Sequence, residues 1–325
     1  MTTGEGVTEG SDRPLVSAVV PTYGRNDHLP TAVESIADQT YGNIELFVVD
    51  DGSPTPVRET LDIPLDRLTS VTFIRHEENR GANVARNSGI RAATGEYVAF
   101  LDDDDRWCPT KIERQVETFL DAGPEVGVVY AGLKVEGPNG VSVKRPTASG
   151  DVMTDLLAGE TFGQFSSVMV AADAIDVAGL PDERFPAWQD REWFFRLARN
   201  HNFEPVSEVL THRWTGLPDS ITKRFEQKRD VAYPLFVEKH YPHAREYGRH
   251  YARMFLASLR RTLGRSAIHA NEYREARKYF LLSFLVHPLY RPVYADLLAS
   301  AGGKWTYKSA ASLRQAAAAV GLKLG

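Results

Sequence analysis

Short apolar runs alternate with amphipathic stretches along the first half of the chain, and each change of period predicts an element. Leu15-Val16-Ser17-Ala18-Val19-Val20 is a nearly continuous apolar run stopped by Pro21, the pattern of a strand buried on both faces. Residues 27–39 place Leu29, Val33 and Ile36 at helical spacing. The same alternation predicts strands over 44–49, 71–74, 97–101 and 126–130, and helices over 83–93 and 109–122, the last opened by Pro109. Past residue 131 the rhythm changes. A hairpin is expected over 132–145 around Pro138-Asn139-Gly140, then a strand over 166–171. A helix over 190–200 turns Trp193, Phe194 and Leu197 inward, and 206–214 is extended. Residues 215–220, with Gly216 and Pro218, form a loop. From Lys223 the chain reads as helical, most strongly over 273–286, with an Ala-rich helix over 309–320.

This order predicts the α/β class: a doubly wound, mostly parallel sheet with helices on both faces, plus an α-helical C-terminal extension. The expected divisions are a disordered leader over 1–13, a doubly wound α/β domain over 14–222 and a helical extension over 223–325. No run approaches the roughly 18 consecutive apolar residues of a membrane span. The Gly/Thr/Glu-rich start lacks the apolar core of a signal peptide. A cytoplasmic location is therefore expected. The one cysteine, Cys108, excludes a disulfide framework and a Cys-based zinc site.

Charge sharpens this division. The formal net charge of −5 conceals 19 basic and 36 acidic residues over 1–222, a balance of −17. Residues 223–325 carry 19 basic and 7 acidic residues, a balance of +12. The acidic half concentrates carboxylates at two strand ends, Asp50-Asp51 and Asp102-Asp103-Asp104-Asp105. Ligands of open parallel sheets bind outside the carboxyl ends of the strands. Four adjacent carboxylates repel one another unless a cation lies among them, and their hard oxygens suit Mg2+ or Mn2+. An EF-hand is excluded, because the sixth position from Asp102 is Trp107 rather than glycine. Neither a P-loop nor a dinucleotide-binding Gly-x-Gly-x-x-Gly follows the first strand, where Pro-Thr-Tyr-Gly-Arg stands.

Four motifs occur in order: Val20-Pro21-Thr22-Tyr23-Gly24-Arg25; Val48-Val49-Asp50-Asp51-Gly52-Ser53; Asn79-Arg80-Gly81 with Ala85-Arg86-Asn87; and Phe100-Leu101 with the acidic run. Over about residues 14–215 the chain resembles glycosyltransferase family 2, the inverting transferases of the GT-A fold. The resemblance implies that Pro21, Thr22, Tyr23, Arg25, Asp51, Arg86, Asp102 and Asp103 serve the nucleotide-sugar donor. Asp51 would accept from the base, typically uracil, and Asp102 would face the ribose. Asp104 would hold the divalent metal, Mn2+ or Mg2+. Trp188-Gln189-Asp190-Arg191-Glu192-Trp193 resembles the family's Glu-Asp motif, with Gln189 departing from it at the first position. Asp190 is then the expected general base for an acceptor hydroxyl. An Asp at a helix start also meets the helix dipole, worth about 0.3–1 kcal/mol. Thr211-His212-Arg213-Trp214 is similar to the Gln-x-x-Arg-Trp of polysaccharide synthases but lacks the Gln, and His212 or Arg213 could touch the diphosphate. Residues 162–167 are expected on the acceptor side.

The basic extension places Arg260, Arg261, Arg265, Arg274, Arg277 and Lys278 near the apolar face of residues 279–286. That combination predicts peripheral contact with an anionic membrane or a lipid-carrier phosphate, or else a helical bundle whose charges stay solvated. No nucleic acid partner is expected, since no recognised binding motif is present. The expected activity is transfer of a sugar from a UDP-sugar to a hydroxyl of a glycan acceptor, lipid-linked, in surface polysaccharide or protein glycosylation. Rival readings are a nucleotidyltransferase, which would want a Gly-rich basic loop after the first strand, and a catalytically inactive binding module.

Overall fold

The computed structural model describes residues 13–137, 140–215 and 225–300. The expected leader, the tip of the 132–145 hairpin, most of the 215–220 loop, the boundary at 222 and the 309–320 helix lie outside the described residues. The described chain divides into two compact units.

The first unit is built on a mixed sheet of order β3-β2-β1-β4-β8-β6-β9-β5, with β7 beside β6. β1 (Val16–Thr22) and β2 (Ile44–Asp50) are buried at every position. They lie inside the sheet with helices over them, which is why their sequences are continuously apolar. β1 pairs in parallel with β2 and with β4 (Tyr97–Phe100), and β2 with β3 (Ser70–Arg75). α1 (Leu29–Ala37) turns Leu29, Val33 and Ile36 inward. A four-residue turn of helix, α2 (Val57–Thr60), follows β2. α3 (Ala82–Ala92) lies close on β1, because a Cβ on Gly89 would come within 2.4 Å of the Val19 side chain.

The strand–helix units are thus parallel as far as β4, and beyond it the directions mix. A short β5 (Asp105–Trp107) precedes α4 (Lys111–Asp121) and pairs antiparallel with β9 (Asn202–Trp214). β6 (Val126–Gly137) pairs antiparallel with β7 (Gly140–Lys144) and β8 (Val168–Ala171) but parallel with β9. Periodicity reports burial and not direction, so the sequence alone could not separate these pairings. The strand expected from residue 166 starts at Val168; Phe165–Ser167 form a 3-10 turn, held by Gln164 N–H donating to Ser167 Oγ at 3.1 Å. α6 (Ala172–Ala178) and α7 (Gln189–Leu197) complete this unit.

The second unit gathers α5 (Met153–Ala158), residues 184–188 and the helices after residue 225. These are α8 (Tyr233–Glu246), α9 (Gly248–His269), α10 (Tyr273–Val286) and α11 (Pro292–Ser300). Gly264 lets the Phe280 ring seat against α9, where an added Cβ would lie 2.4 Å from it. The structure redraws the basic apolar face expected here. Tyr279 and Phe280 belong to the buried core. Arg261 and Arg265 hold the buried Asp296 at 2.7 and 3.2 Å, and Arg260 donates to the Leu282 carbonyl at 3.1 Å. Half of the six expected cations are therefore engaged by groups of the bundle itself. Among the described residues, no helix is long and apolar enough to cross a membrane.

Candidate active site

Every carboxylate of the acidic run is oriented by the end of β4. Leu101 N–H still donates to Val19 O, and Asp105 N–H closes a tight turn on Asp102 O at 3.0 Å. Within that turn Asp103 faces inward, accepting from Thr22 Oγ1 at 2.7 Å and Arg25 Nη1 at 3.0 Å. Its two oxygens are engaged, so it pins the run to the end of β1. Burial raises the Asp103 pKa, opposed by Arg25 and Thr22. Asp104 accepts from the same Arg25 nitrogen at 2.7 Å, and Asp102 from Arg86 Nη2 at 2.5 Å.

Asp102, Asp104 and Asp105 each present an oxygen within 4.8 Å of the others. Asp105 is buried and accepts from Gln164 Nε2 at 2.8 Å through one oxygen, while its Oδ1 is buried without a hydrogen-bond partner. Burial, then the Asp102 charge, push the Asp105 pKa up to about 8. An orphaned buried oxygen in a self-repelling carboxylate trio fits a divalent cation, whose charge would remove both costs. Asp105 was not among the expected ligands. β4 ends at Phe100, so it is the turn closed by Asp105 on Asp102 that brings the carboxylates of Asp102, Asp104 and Asp105 together.

The other acidic pair has a different character. Burial works to raise the Asp50 pKa, but hydrogen bonds from Ser53 and Val57 and the Arg75 guanidinium outweigh it and hold it below its ordinary value. Asp51 accepts from Arg80 N–H at 3.0 Å, Gly81 N–H at 2.7 Å and His76 Nδ1 at 2.7 Å. It thus shapes the loop before α3. Gly52, at φ +77°, runs against Glu78, where a Cβ would lie 2.6 Å from a backbone carbon. Pro21 is buried within β1, paired with Val49, whereas Tyr23 just beyond is 47% exposed.

Arg86 joins the acidic run to α7. It projects from α3, lies 4.1 Å over the Phe165 ring, and donates to Asn83 Oδ1 at 3.3 Å and Gln189 Oε1 at 3.2 Å besides Asp102. Its Nε is buried without a partner. Gln189, where the family motif has a Glu, thus serves as a neutral acceptor for Arg86. The next residue, Asp190, opens α7 and accepts from Arg191 N–H at 2.7 Å. Trp188, with φ 60°, sets the left-handed turn into this helix. Burial of the Asp190 carboxyl and the Asp102 charge raise its pKa, against Arg191 N–H, Arg86 and Arg213.

Arg213, on β9, donates to Gln164 Oε1, and Gln164 donates in turn to Asp105. A pocket of about 260 Å³ opens here, lined by His28, Asp104, Asp105, Arg106, Arg213 and Trp214, among others. His212 also lines it, its pKa lowered by burial and by Lys134 and Arg106, which keeps the ring neutral near pH 7. Gln164 falls in the segment 162–167 expected on the acceptor side, but its bond to Asp105 could not be read from the sequence, and Arg106 carried no signal there because an isolated polar residue has no period or motif to mark it.

The strand ends of the first unit thus gather three mutually facing carboxylates, the Asp190 carboxyl and the guanidinium groups of Arg25, Arg86 and Arg213. The model of the family described as Glycosyl transferase family 2 matches residues 17–169. An uncharacterized glycosyltransferase of Haemophilus influenzae is 31% identical over 185 residues, covering 57% of this chain and 71% of that protein. The chain belongs to glycosyltransferase family 2. The putative teichuronic acid biosynthesis glycosyltransferase TuaG of Bacillus subtilis is 40% identical over 111 residues, 34% of this chain and 43% of that protein. Another relative, from Rickettsia felis, is spanned over only 32% of its length. S. aureus TarS 1-349 in complex with UDP-GlcNAc shares the fold at a TM-score of 0.59 and 16% identity, over 96% of this chain and 93% of that one.

Proposed function

We propose that the protein is an inverting, metal-dependent hexosyltransferase. It moves a sugar from a UDP-sugar to a hydroxyl of an acceptor glycan carried on a lipid at the inner face of the membrane, in the assembly of a surface polysaccharide or glycoprotein. The observation that carries this reading is Arg86, which pairs with Asp102 of the cation-ready trio and with Gln189, next to Asp190. The base and the leaving-group site are thereby held by one guanidinium.

Asp102, Asp104 and Asp105 would hold Mn2+ or Mg2+, whose charge neutralises the departing diphosphate. Tyr23 offers an exposed ring for the nucleobase, and Arg25 and Arg213 offer charge to the phosphates. Asp190 takes the proton of the acceptor hydroxyl as its oxygen bonds to the anomeric carbon and the bond to the diphosphate breaks. A raised pKa suits that role, since a base works best with a pKa near the working pH. A single displacement from the face opposite the leaving group inverts the anomeric carbon. An ionised lipid phosphate would need no base, so Asp190 favours a hydroxyl acceptor. The UDP and UDP-GlcNAc complexes of TarS support a UDP-linked donor, and TuaG supports a cell-surface polymer.

A thermal-shift panel of nucleotide sugars with Mg2+ or Mn2+, read beside metal-dependent release of UDP, tests this. A UDP-sugar at about 100 times its Kd should add about 2.7 kcal/mol of stability. If no nucleotide moved the midpoint and no UDP were released, the reading would fail.

A further inference from the structure

We infer that the outer face of α10 and α11 is a docking surface for an anionic phospholipid bilayer. Along α10, Arg274, Lys278, Leu281 and Leu285 recur at the spacing of one helical stripe. That stripe lies opposite Ala276, Tyr279, Phe280 and Ser283, which are buried. Leu281 is 48% exposed and Leu285 62%, and Leu289, just past the helix, is 79% exposed. The rings of Phe284 and Tyr294 meet at 5.9 Å, which brings the outer side of α11, with Leu298 at 77% exposure, beside this stripe. Single exposed leucines are ordinary, but three on adjoining helix faces with a fourth in the turn between them mark an interaction surface.

Charge selects the occupant. Arg274 and Arg277 are exposed at the N-terminal end of the same helix and have no ion-pair partner among the described residues. Lys278 has one, the partly exposed Glu275 at 3.2 Å. Cations beside apolar side chains match a bilayer, where leucines enter the acyl boundary while guanidinium groups remain with anionic headgroups. A second copy is a poorer fit, since symmetric pairing would bring together two segments that each carry a balance of +12. The surface keeps three of the six cations expected from the sequence, Arg274, Arg277 and Lys278, whereas Arg260 is bound to the Leu282 carbonyl and Arg261 and Arg265 to Asp296.

The inference gives the proposed lipid-linked acceptor a means of presentation, and in that sense it rests on the proposed function. Its test does not, because vesicle binding is measured without donor or acceptor, so the two can fail separately. The full chain should co-sediment with phosphatidylcholine vesicles holding about 30 mol% phosphatidylglycerol, and about tenfold less with phosphatidylcholine alone. Leu281→Ser with Leu285→Ser should cut binding about tenfold at an unchanged thermal midpoint and unchanged UDP release. Arg274→Glu with Arg277→Glu should cut it as well and flatten its dependence on salt. The inference is overturned if the wild-type chain stays in the supernatant, if both double variants bind like wild type, or if the leucine changes dissociate an oligomer without altering vesicle binding.

Discussion

At the residue scale the site rests on carboxylates that share one sequence character but are shifted in opposite directions by their surroundings, Asp50 downward and Asp103, Asp105 and Asp190 upward. Asp190→Asn keeps the shape of the α7 start but removes the proton acceptor. Turnover should fall about 10²–10⁴-fold, while calorimetry shows donor affinity within a few-fold of wild type. Asp105 gives a prediction about pH. Its folded pKa of about 8 lies above the ordinary carboxylate value of about 4. The folded protein therefore keeps a proton that the unfolded chain gives up. That contribution is whole below pH about 4 and is lost as pH rises through about 8. In EDTA, urea unfolding should show wild type losing more stability than Asp105→Asn between pH 5 and pH 8. Added Mg2+, which displaces the proton, should stabilise wild type more at pH 8 than at pH 6. The acidic run was plain in the sequence, yet which of its members face one another was not. The sequence assigns Asp103 to the donor and gives Asp105 no role, whereas in the fold Thr22 and Arg25 hold Asp103 inward and Gln164 holds Asp105 beside Asp102 and Asp104.

At the scale of elements, the strand ends work because helices and loops approach them closely. Gly89→Ala would drive a methyl into the stiff, buried Val19 between α3 and β1, costing about 1–3 kcal/mol. Gly52→Ala meets the Glu78 backbone and also sits at φ +77°, so its cost should reach about 2–4 kcal/mol. Denaturant midpoints of the two variants check both size and order. β1, β2 and β4 were legible in the sequence because burial leaves a nearly unbroken apolar run, the half-exposed edge strand β3 showed only the short run 71–74, and the four-residue α2 left no pattern. The mixed directions past β4 were not legible, since parallel and antiparallel buried strands carry the same pattern. The 3-10 turn before β8 was missed for a different reason: Ser166 and Ser167 look extended by composition, and the turn is made by local bonds between Gln164 and Ser167 that have no apolar period.

At the scale of the whole molecule, the second unit is discontinuous in sequence. α5 packs against α9, and Tyr290 Oη donates to the Ala158 carbonyl at 3.1 Å. Met153, Leu156 and Leu157 on α5 are fully or almost fully buried. A chain ended at residue 222 would leave that apolar helix without its partner. Such a fragment should bind a hydrophobic dye and lose a sharp thermal transition, in contrast to the full chain. A fragment that melts cooperatively without dye binding would show that α5 does not need the later helices.

The sequence by itself determined the α/β character, the acidic strand ends, the order of the motifs and the contrast between an acidic first part and a basic last part. These are local or additive properties: apolar period, residue type and summed charge. Tertiary structure decided which carboxylates form the trio, that Arg86 joins Asp102 to the start of α7, and which cations remain on the surface of the helical unit. Each of those depends on side chains far apart in sequence meeting in one volume, where desolvation and charge are set by neighbours that no local pattern can name.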